Sequence, residues 1–331
     1  MSTLKTTNLQ HASAASPAIV LASDGTATAQ LSSLNDGPLS GARNRIINGA
    51  MDFWQRGTST TTSSVYLADR WQAQFPAGGT VSQETTSVPT GSRYAWKYVA
   101  SATNPFMQMG QQIEYMNCLD LQNTTVAISF MARSVTSNAG STALTVRTRT
   151  IAGIDGTCLF AGSNSDTAIT LTTSWTRYTV TRTLPATFGS LSLEFVLGNS
   201  HVSGDGIMLS QIQLEAGSVA TPFERRSYGQ ELALCQRYYE KSYDPDVVPG
   251  SISYAGRVSG QNPGAGSWDA RHIIQFKATK RAAPTINTYR ESDGSSGWMT
   301  ADNLGIQGGL VFKTIVAGQA WFGHWTASAE L

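Results

Sequence analysis

The chain has 331 residues, enough for about two domains of ordinary size plus an extension. Charged residues make up only 14% of it, against about 25% in an average soluble protein, and the net charge is +1. This balance excludes the basic stripe of a duplex nucleic-acid binder, and no apolar run approaches the ~20 residues that cross a bilayer.

Ser, Thr, Gly and Asn carry much of the solubility. Uncharged polar residues suit β-structure and crowded assemblies, where a buried charge is costly. The three cysteines (Cys118, Cys158, Cys235) form no CxxC, so neither a disulfide framework nor a zinc knuckle is expected, only small buried thiols.

Residues 1–43 have neither the basic start nor the apolar core of a secretory signal. Within them, "AIVLASDGTATAQL" reads as a β-hairpin turning at Asp24-Gly25. It is too small to stand alone, so its Ile19-Val20-Leu21 run needs a partner surface. "SSLNDGPLSGAR" (32–43) reads as a linker.

"NRIINGAMDFWQRG" (44–57) reads as a first strand, with Met51, Phe53 and Gln55 on one face and Ala50, Asp52, Trp54 and Arg56 on the other. Asn48-Gly49 is placed to take φ > 0 ahead of it. Trp54, Arg56, Asp69, Arg70 and Trp71 are expected to be framework, with an Arg56–Asp69 ion pair. Farther on, period-two alternation predicts half-buried antiparallel strands. It sets Val126, Ile128 and Phe130 on one face, then Leu144 and Val146, then Leu191, Leu193, Phe195 and Leu197. In "GDGIMLSQIQLEAG" the apolar parity flips between Leu209 and Ile212, which predicts a β-bulge.

One helix is expected, in "SYGQELALCQRYY", with Leu232, Cys235 and Tyr239 on a shared face. A second β-rich unit follows, alternating at His272, Ile274 and Phe276 and placing Trp321, Gly323 and Trp325 on one face as core or inter-subunit layer. No repeat of 20–50 residues is visible, which disfavours propellers and solenoids. The fold expected is all-β: an antiparallel β-sandwich of jelly-roll type over 44–229, an extended anchor over 1–43, and a C-terminal sandwich-like domain over 230–331.

Three segments together resemble bacteriophage tail-fibre proteins. "NRIINGAMDFWQRG" followed by "YLADRW" is similar to the start of a domain found in many of them, and "QLEAGSVATPFERRSYGQELALCQRYYEKSY" to its end. "QLE-G-ATPFE" is also similar to the last strand of jelly-roll carbohydrate-binding modules. The leader resembles N-terminal segments of tail and fibre proteins, and "ASAEL" resembles fibre C-termini. The resemblance implies a trimeric virion fibre or spike, made in a host cytoplasm, that binds host surface glycan. It implies a homotrimer, attached through residues 1–43 to other tail, collar or head proteins. In such a domain the first and last strands lie side by side, so "MDFWQRG" is expected to close against "MLSQIQLE".

Motifs of catalysis are missing from the sequence: no GxSxG, HExxH or P-loop occurs. The four histidines are scattered, and acids are sparse and mostly isolated. No catalytic residue, metal site or cofactor is therefore expected. Asp205, in a Gly-flanked turn, is one carboxylate where calcium needs six to eight oxygens.

Glycan binding needs flat apolar faces for sugar rings and planar polar groups for hydroxyls. Trp268 in "NPGAGSWDA" and Trp298 in "SDGSSGWMT" sit among glycines and serines, with Asp269, Arg290 and Asp293 close by in sequence. These five residues are the expected glycan site, and the face with Tyr94, Trp96 and Tyr98 is next in line. The function expected is non-enzymatic attachment. A polysaccharide depolymerase and a purely structural head or collar fibre are the alternatives.

Overall fold

A computed structural model describes residues 43–76, 78–103, 106–198 and 201–331, and in the leader residues 6–10, 12, 18–21, 23 and 27–29. The described part of the leader is a small antiparallel sheet in which Ile19–Leu21 pairs with both Asn8–Leu9 and Ala27–Ala29. Val20 and Leu21 remain 43% and 41% exposed, so the described residues leave these two uncovered. The Asp24-Gly25 turn and almost all of the 32–43 linker lie outside the described residues.

From Asn44 to Ala216 the chain builds a jelly-roll sandwich of two six-stranded sheets. The first runs Thr176–Thr183, Thr125–Ser134, Gly206–Ala216, Ala95–Ala100, Gly79–Glu84, Ser59–Thr60; the second runs Ser163–Thr170, Ala143–Ile151, Ser190–Leu197, Met107–Ile113, Gln72–Gln74, Val65–Tyr66. The alternating side chains meet between them. Val126, Ile128, Phe130, Leu144, Val146, Leu191, Leu193, Phe195 and Leu197 belong to one continuous core. Phe130 packs edge-on against Phe195 across the two sheets, with ring centroids 4.9 Å apart.

The bulge is present. Ser129 pairs with Gln213 but Met131 pairs with Ser210, so Gln211 and Ile212 together oppose Phe130. Gln211 takes φ 51 to make the extra step. The step keeps Ile207, Leu209, Ile212 and Leu214 all in the core despite their change of parity.

The segment 44–57 differs from its expectation. Only its first half, 44–50, lies beside the last strand; "MDFWQRG" (51–57) does not close against "MLSQIQLE" but bonds Asp69 and Lys241 instead, and neither half is a strand. Ala95–Ala100 pairs with the last strand only over Gly206–Leu209. Beyond that point residues 44–50 supply the missing partners: Arg45 N donates to Leu214 O (2.8 Å), Leu214 N to Asn44 Oδ1 (3.1 Å), and Ile212 N to Gly49 O (2.9 Å). Asn48 and Met51 have φ 55 and 60, which breaks the alternation. The segment therefore points two ways. Met51 and Trp54 enter the sandwich core, while Ile47 and Phe53 join a separate cluster with Cys235 and Tyr238.

The helix is Tyr228–Gln236. Tyr239 is not on it, because the chain has already turned into the strand Tyr239–Lys241. Two smaller antiparallel sheets follow. In one, Ala320–Ser328 pairs with Tyr239–Lys241, Val258–Gln261 and Thr285–Arg290; the other runs Ser267–Gln275, Gly308–Val316, Thr300–Asp302. They face each other around Ala270, Ile274, Phe276, Val311, Trp321 and Trp325. Trp321 and Trp325 are thus core of this chain. All three cysteines are buried and free. Burial pushes the thiols of Cys118 and Cys158 up to about 12, so they stay protonated.

Candidate functional site

The framework residues come first, because they fix how the C-terminal sheets are held. Asn48 is a hub: its side chain bonds the main chain of Phe53 and Asp69, and its carbonyl accepts from Trp71 Nε1 (3.1 Å). Asp69 is fully buried, holds Gln55 Nε2 at 2.5 Å, and lies 3.6 Å from Arg56 as an ion pair. Arg56 stacks on Tyr239 (3.7 Å) and Arg70 on Tyr238 (3.6 Å). Both guanidinium groups converge on Glu330, and Tyr66 Oη donates to the Leu331 main-chain oxygen at 3.0 Å. Burial lowers the tendency of Arg70 to hold its proton, but Glu330, with Tyr238 and Tyr66, outweighs this and raises its pKa. This network is a socket for residues 329–331, closed to ligand.

Asp205 is also structural. Its carboxylate accepts from Thr136 Oγ1 (2.6 Å), Asn138 Nδ2 (2.8 Å), Ser141 Oγ (3.3 Å) and Val202 N (3.0 Å). Burial opposes its ionisation, but these donors prevail and lower its pKa. Hydroxyl and N–H donors, rather than further carboxylates, surround it. Among the described residues, no group of three or more His, Cys, Asp or Glu side chains comes together to hold a metal.

A cavity of about 490 Å³ lies between residues 44–47 and the helix, with Arg45, Arg226 and Arg237 around Ile47, Ala233 and Leu234. Each arginine already has an acid: Asp120, Glu231 and Glu114 respectively.

The five residues expected to bind glycan separate into two groups. Arg290 ends its strand, and a tight turn follows in which Gly294 N donates to Arg290 O (2.9 Å) and Arg290 N to Ser295 O (2.8 Å). Asp293 caps that turn through Ser295 N (3.0 Å) and Ser295 Oγ (2.7 Å), and pairs with Arg290 at 3.2 Å. The Ser295 bonds, foremost the one from its N–H, hold the Asp293 carboxyl below its usual range.

Arg290 lies 4.4 Å from the centre of the Trp298 indole, and Lys313 Nζ lies 3.8 Å from it. Lys313 also donates to Trp298 O (3.2 Å). Trp298 rests against Gly323, where an added Cβ would stand 3.1 Å from indole Cδ1. It is therefore half-buried and capped by cations, not an open platform. Sequence distance hid Lys313; the register that pairs Thr300 with Phe312 brings it beside the residues that precede Thr300.

Trp268 and Asp269 stand apart. No hydrogen bond, ion pair or ring contact joins them to the Arg290 group among the described residues. Strand alternation puts the two on opposite faces. Trp268 shares its face with Ala270 and Ile274 but lies beyond the core, 61% exposed. Gly264 backs the indole, its would-be Cβ 3.6 Å from Cζ2. Asn262 holds that loop by donating to Gly266 O (3.0 Å) and Ile315 O (2.9 Å). Asp269, on the reverse face, accepts from Thr314 Oγ1 (2.7 Å). The reserve face does not exist as a surface: Trp96 and Tyr98 are core residues, and Tyr94 packs against them half-buried.

No family model matches the chain, and no curated protein does. Among solved structures it is similar to the enzymatically active domain of tailspike protein 4 of bacteriophage CBA120, at 13% identity and TM-score 0.38, over 53% of this chain and 21% of that one. It is similar to TmCBM61 in complex with beta-1,4-galactotriose, at 12% identity and TM-score 0.33, over 53% of this chain and 100% of that one. It is also similar to a putative sugar binding protein from Bacteroides thetaiotaomicron, at 15% identity and TM-score 0.35, over 53% of this chain and 100% of that one. The chain thus spans about a fifth of the tailspike domain's length.

Proposed function

We propose that the chain is a non-enzymatic adhesin of a phage or phage-like particle that binds host surface glycan through its C-terminal sheets. The observation that carries the reading is Trp268, the one exposed tryptophan, presenting a flat indole backed by glycine on the edge strand of its sheet. A sugar ring stacks on such a surface, and aromatic anchors of this kind dominate binding energy. The resemblance of residues 44–57 and of "QLEAGSVATPFERRSYGQELALCQRYYEKSY" to tail-fibre segments supports the virion setting. The uncovered Val20-Leu21 run supports a homotrimer packed through the leader, with the leader as anchor to other virion proteins.

Trp268→Ala is the clean probe, since an exposed side chain is removed without opening the core. Cell adsorption should fall by about 2 kcal/mol per site with the melting temperature unchanged. Adsorption equal to the parent's would place the contact elsewhere. Release of new reducing ends from host capsule or lipopolysaccharide would overturn the non-enzymatic half of the reading. Light scattering at the 35.3 kDa of one chain would overturn the trimer.

A further inference from the structure

Four lysines and arginines are buried among the described residues: Arg70, Arg182, Lys241 and Lys280. Three are neutralised or fully solvated by protein. Arg70 meets Glu330, Lys280 meets Glu240 at 2.5 Å, and Lys241 donates to the carbonyls of Gln55, Pro245 and Val247. Arg182 is 8% exposed and lies within ion-pair distance of no carboxylate of the described residues. Among the described residues its one side-chain hydrogen bond runs from Nη2 to Thr167 Oγ1 (2.6 Å). The nearest acid, Asp166, is held bidentately by Arg147 at 2.7 Å. A buried cation without a counter-charge is costly, and burial lowers the Arg182 pKa accordingly.

Arg182 faces a cavity of about 290 Å³ at the open edge of the first sandwich, between the end strands of the two sheets. On those strands and on Ala143–Ile151 beside them, the inward row is apolar at Ile169, Leu144, Val146 and Val180 and then turns polar. Thr148, Thr150, Ser163 and Ser165 take the inward positions around Arg182, with Asn164 at the rim. Thr148 is only 3% exposed, so at this position a hydroxyl stands where packing would favour an aliphatic side chain.

We propose that this cleft binds a hexuronate-type acidic sugar, with the Arg182 guanidinium taking its carboxylate and the wall hydroxyls taking its ring hydroxyls. A guanidinium presents a fork matched to a carboxylate. The cavity is at the small end of the ~300–1,000 Å³ of ligand sites, which suits one ring better than a chain. The site lies away from Trp268 and does not depend on the role given to that residue.

The test is calorimetric titration of the full chain with glucuronate, glucose and inorganic sulfate. Saturable binding of glucuronate, with none for glucose and weaker binding for sulfate, is expected. Arg182→Met should weaken glucuronate by about tenfold or more, the loss of a charge-assisted bond, without lowering the melting temperature. Should that variant fail to fold, Thr150→Val decides, since it removes a wall hydroxyl at constant shape and should weaken glucuronate several-fold. No binding of glucuronate, binding unchanged in the variants, or sulfate bound as tightly as glucuronate would each overturn the proposal, the last by showing an anion site that makes no sugar contact.

Discussion

Glu330 shows how much one side chain can decide. It is the acid shared by Arg56 and Arg70, and its bond to Arg70 spans 260 residues. Arg70 is 1% exposed, so Glu330→Ala leaves a buried guanidinium with only the Gln112 carbonyl to bond. The expected cost is about 3 kcal/mol in urea unfolding, because breaking a buried pair strands the other charge. Removing both charges, as Arg70→Met with Glu330→Leu, should recover most of it. If the single variant loses less than the double one, the pair is not the source. Sequence proximity made the Arg56–Asp69 pair legible, but nothing local reveals Glu330 as the second acid.

Two histidines carry the acid response. His324 is buried between Tyr243, stacked at 3.8 Å, and the oxygens of Ser242 and Ser253, both 2.9 Å away. His201 is buried beside the Tyr98 hydroxyl at 3.2 Å. Burial lowers both pKa values from 6.5. The unfolded chain therefore takes up protons first, and the stability these residues contribute above pH 6.5 is lost as pH falls through their folded values. Asp69, whose pKa burial raises, acts in the opposite sense. The informative quantity is thus the difference between the parent and a His201→Gln/His324→Gln variant. The urea midpoint of the parent should fall more between pH 7 and pH 5; equal slopes would remove the histidines from the account.

At the scale of elements, strands whose inward face is buried were legible and short or strained ones were not. Thr125–Ser134, Ala143–Ile151 and Ser190–Leu197 follow the period-two rule because each faces the sandwich interior. The parity flip at Gln211 was legible for the same reason. Residues 44–57 look like a strand by alternation alone. Their hydrogen bonds, however, go to an edge that the bulge has already twisted, and two left-handed residues are needed to follow it. Gly49 sits at the closest approach, where a Cβ would stand 2.1 Å from the Ile212 carbonyl oxygen. Gly49→Ala must push the segment off the last strand, and a loss of about 3 kcal/mol is expected by thermal or urea unfolding. A variant as stable as the parent would mean that the contact is not tight. The candidate site was legible in the same partial way. Gly and Ser flanks marked Trp268 as exposed, and alternation alone separates it from Asp269. The packing of Trp298 by Lys313 depends on strand register, which no local pattern encodes.

For the molecule as a whole, the question is whether the first sandwich and the C-terminal sheets unfold together. The contacts between them are directional as well as apolar. Lys241 Nζ donates to Gln55 O (2.7 Å), Gln55 to Tyr239 O (3.3 Å), and Tyr238 Oη and Arg237 both to Glu114. The strand Ala320–Ser328 runs on into Ala329–Leu331, where Arg281 fixes the Ala329 and Glu330 carbonyls and Glu330 enters the Arg56–Arg70 socket. The same strand is the spine of the C-terminal sheet, pairing with three others. Strain on the socket is therefore passed directly to the second core, and the two should melt as one transition. Deleting residues 329–331 removes the socket's acid and the Leu331 contact to Tyr66 while leaving every strand pair of Ala320–Ser328 intact. The shortened chain should show two calorimetric transitions, the lower one belonging to the C-terminal sheets, whose core is the smaller. Two transitions in the parent, or a single unshifted one in the shortened chain, would show that the socket does not couple them.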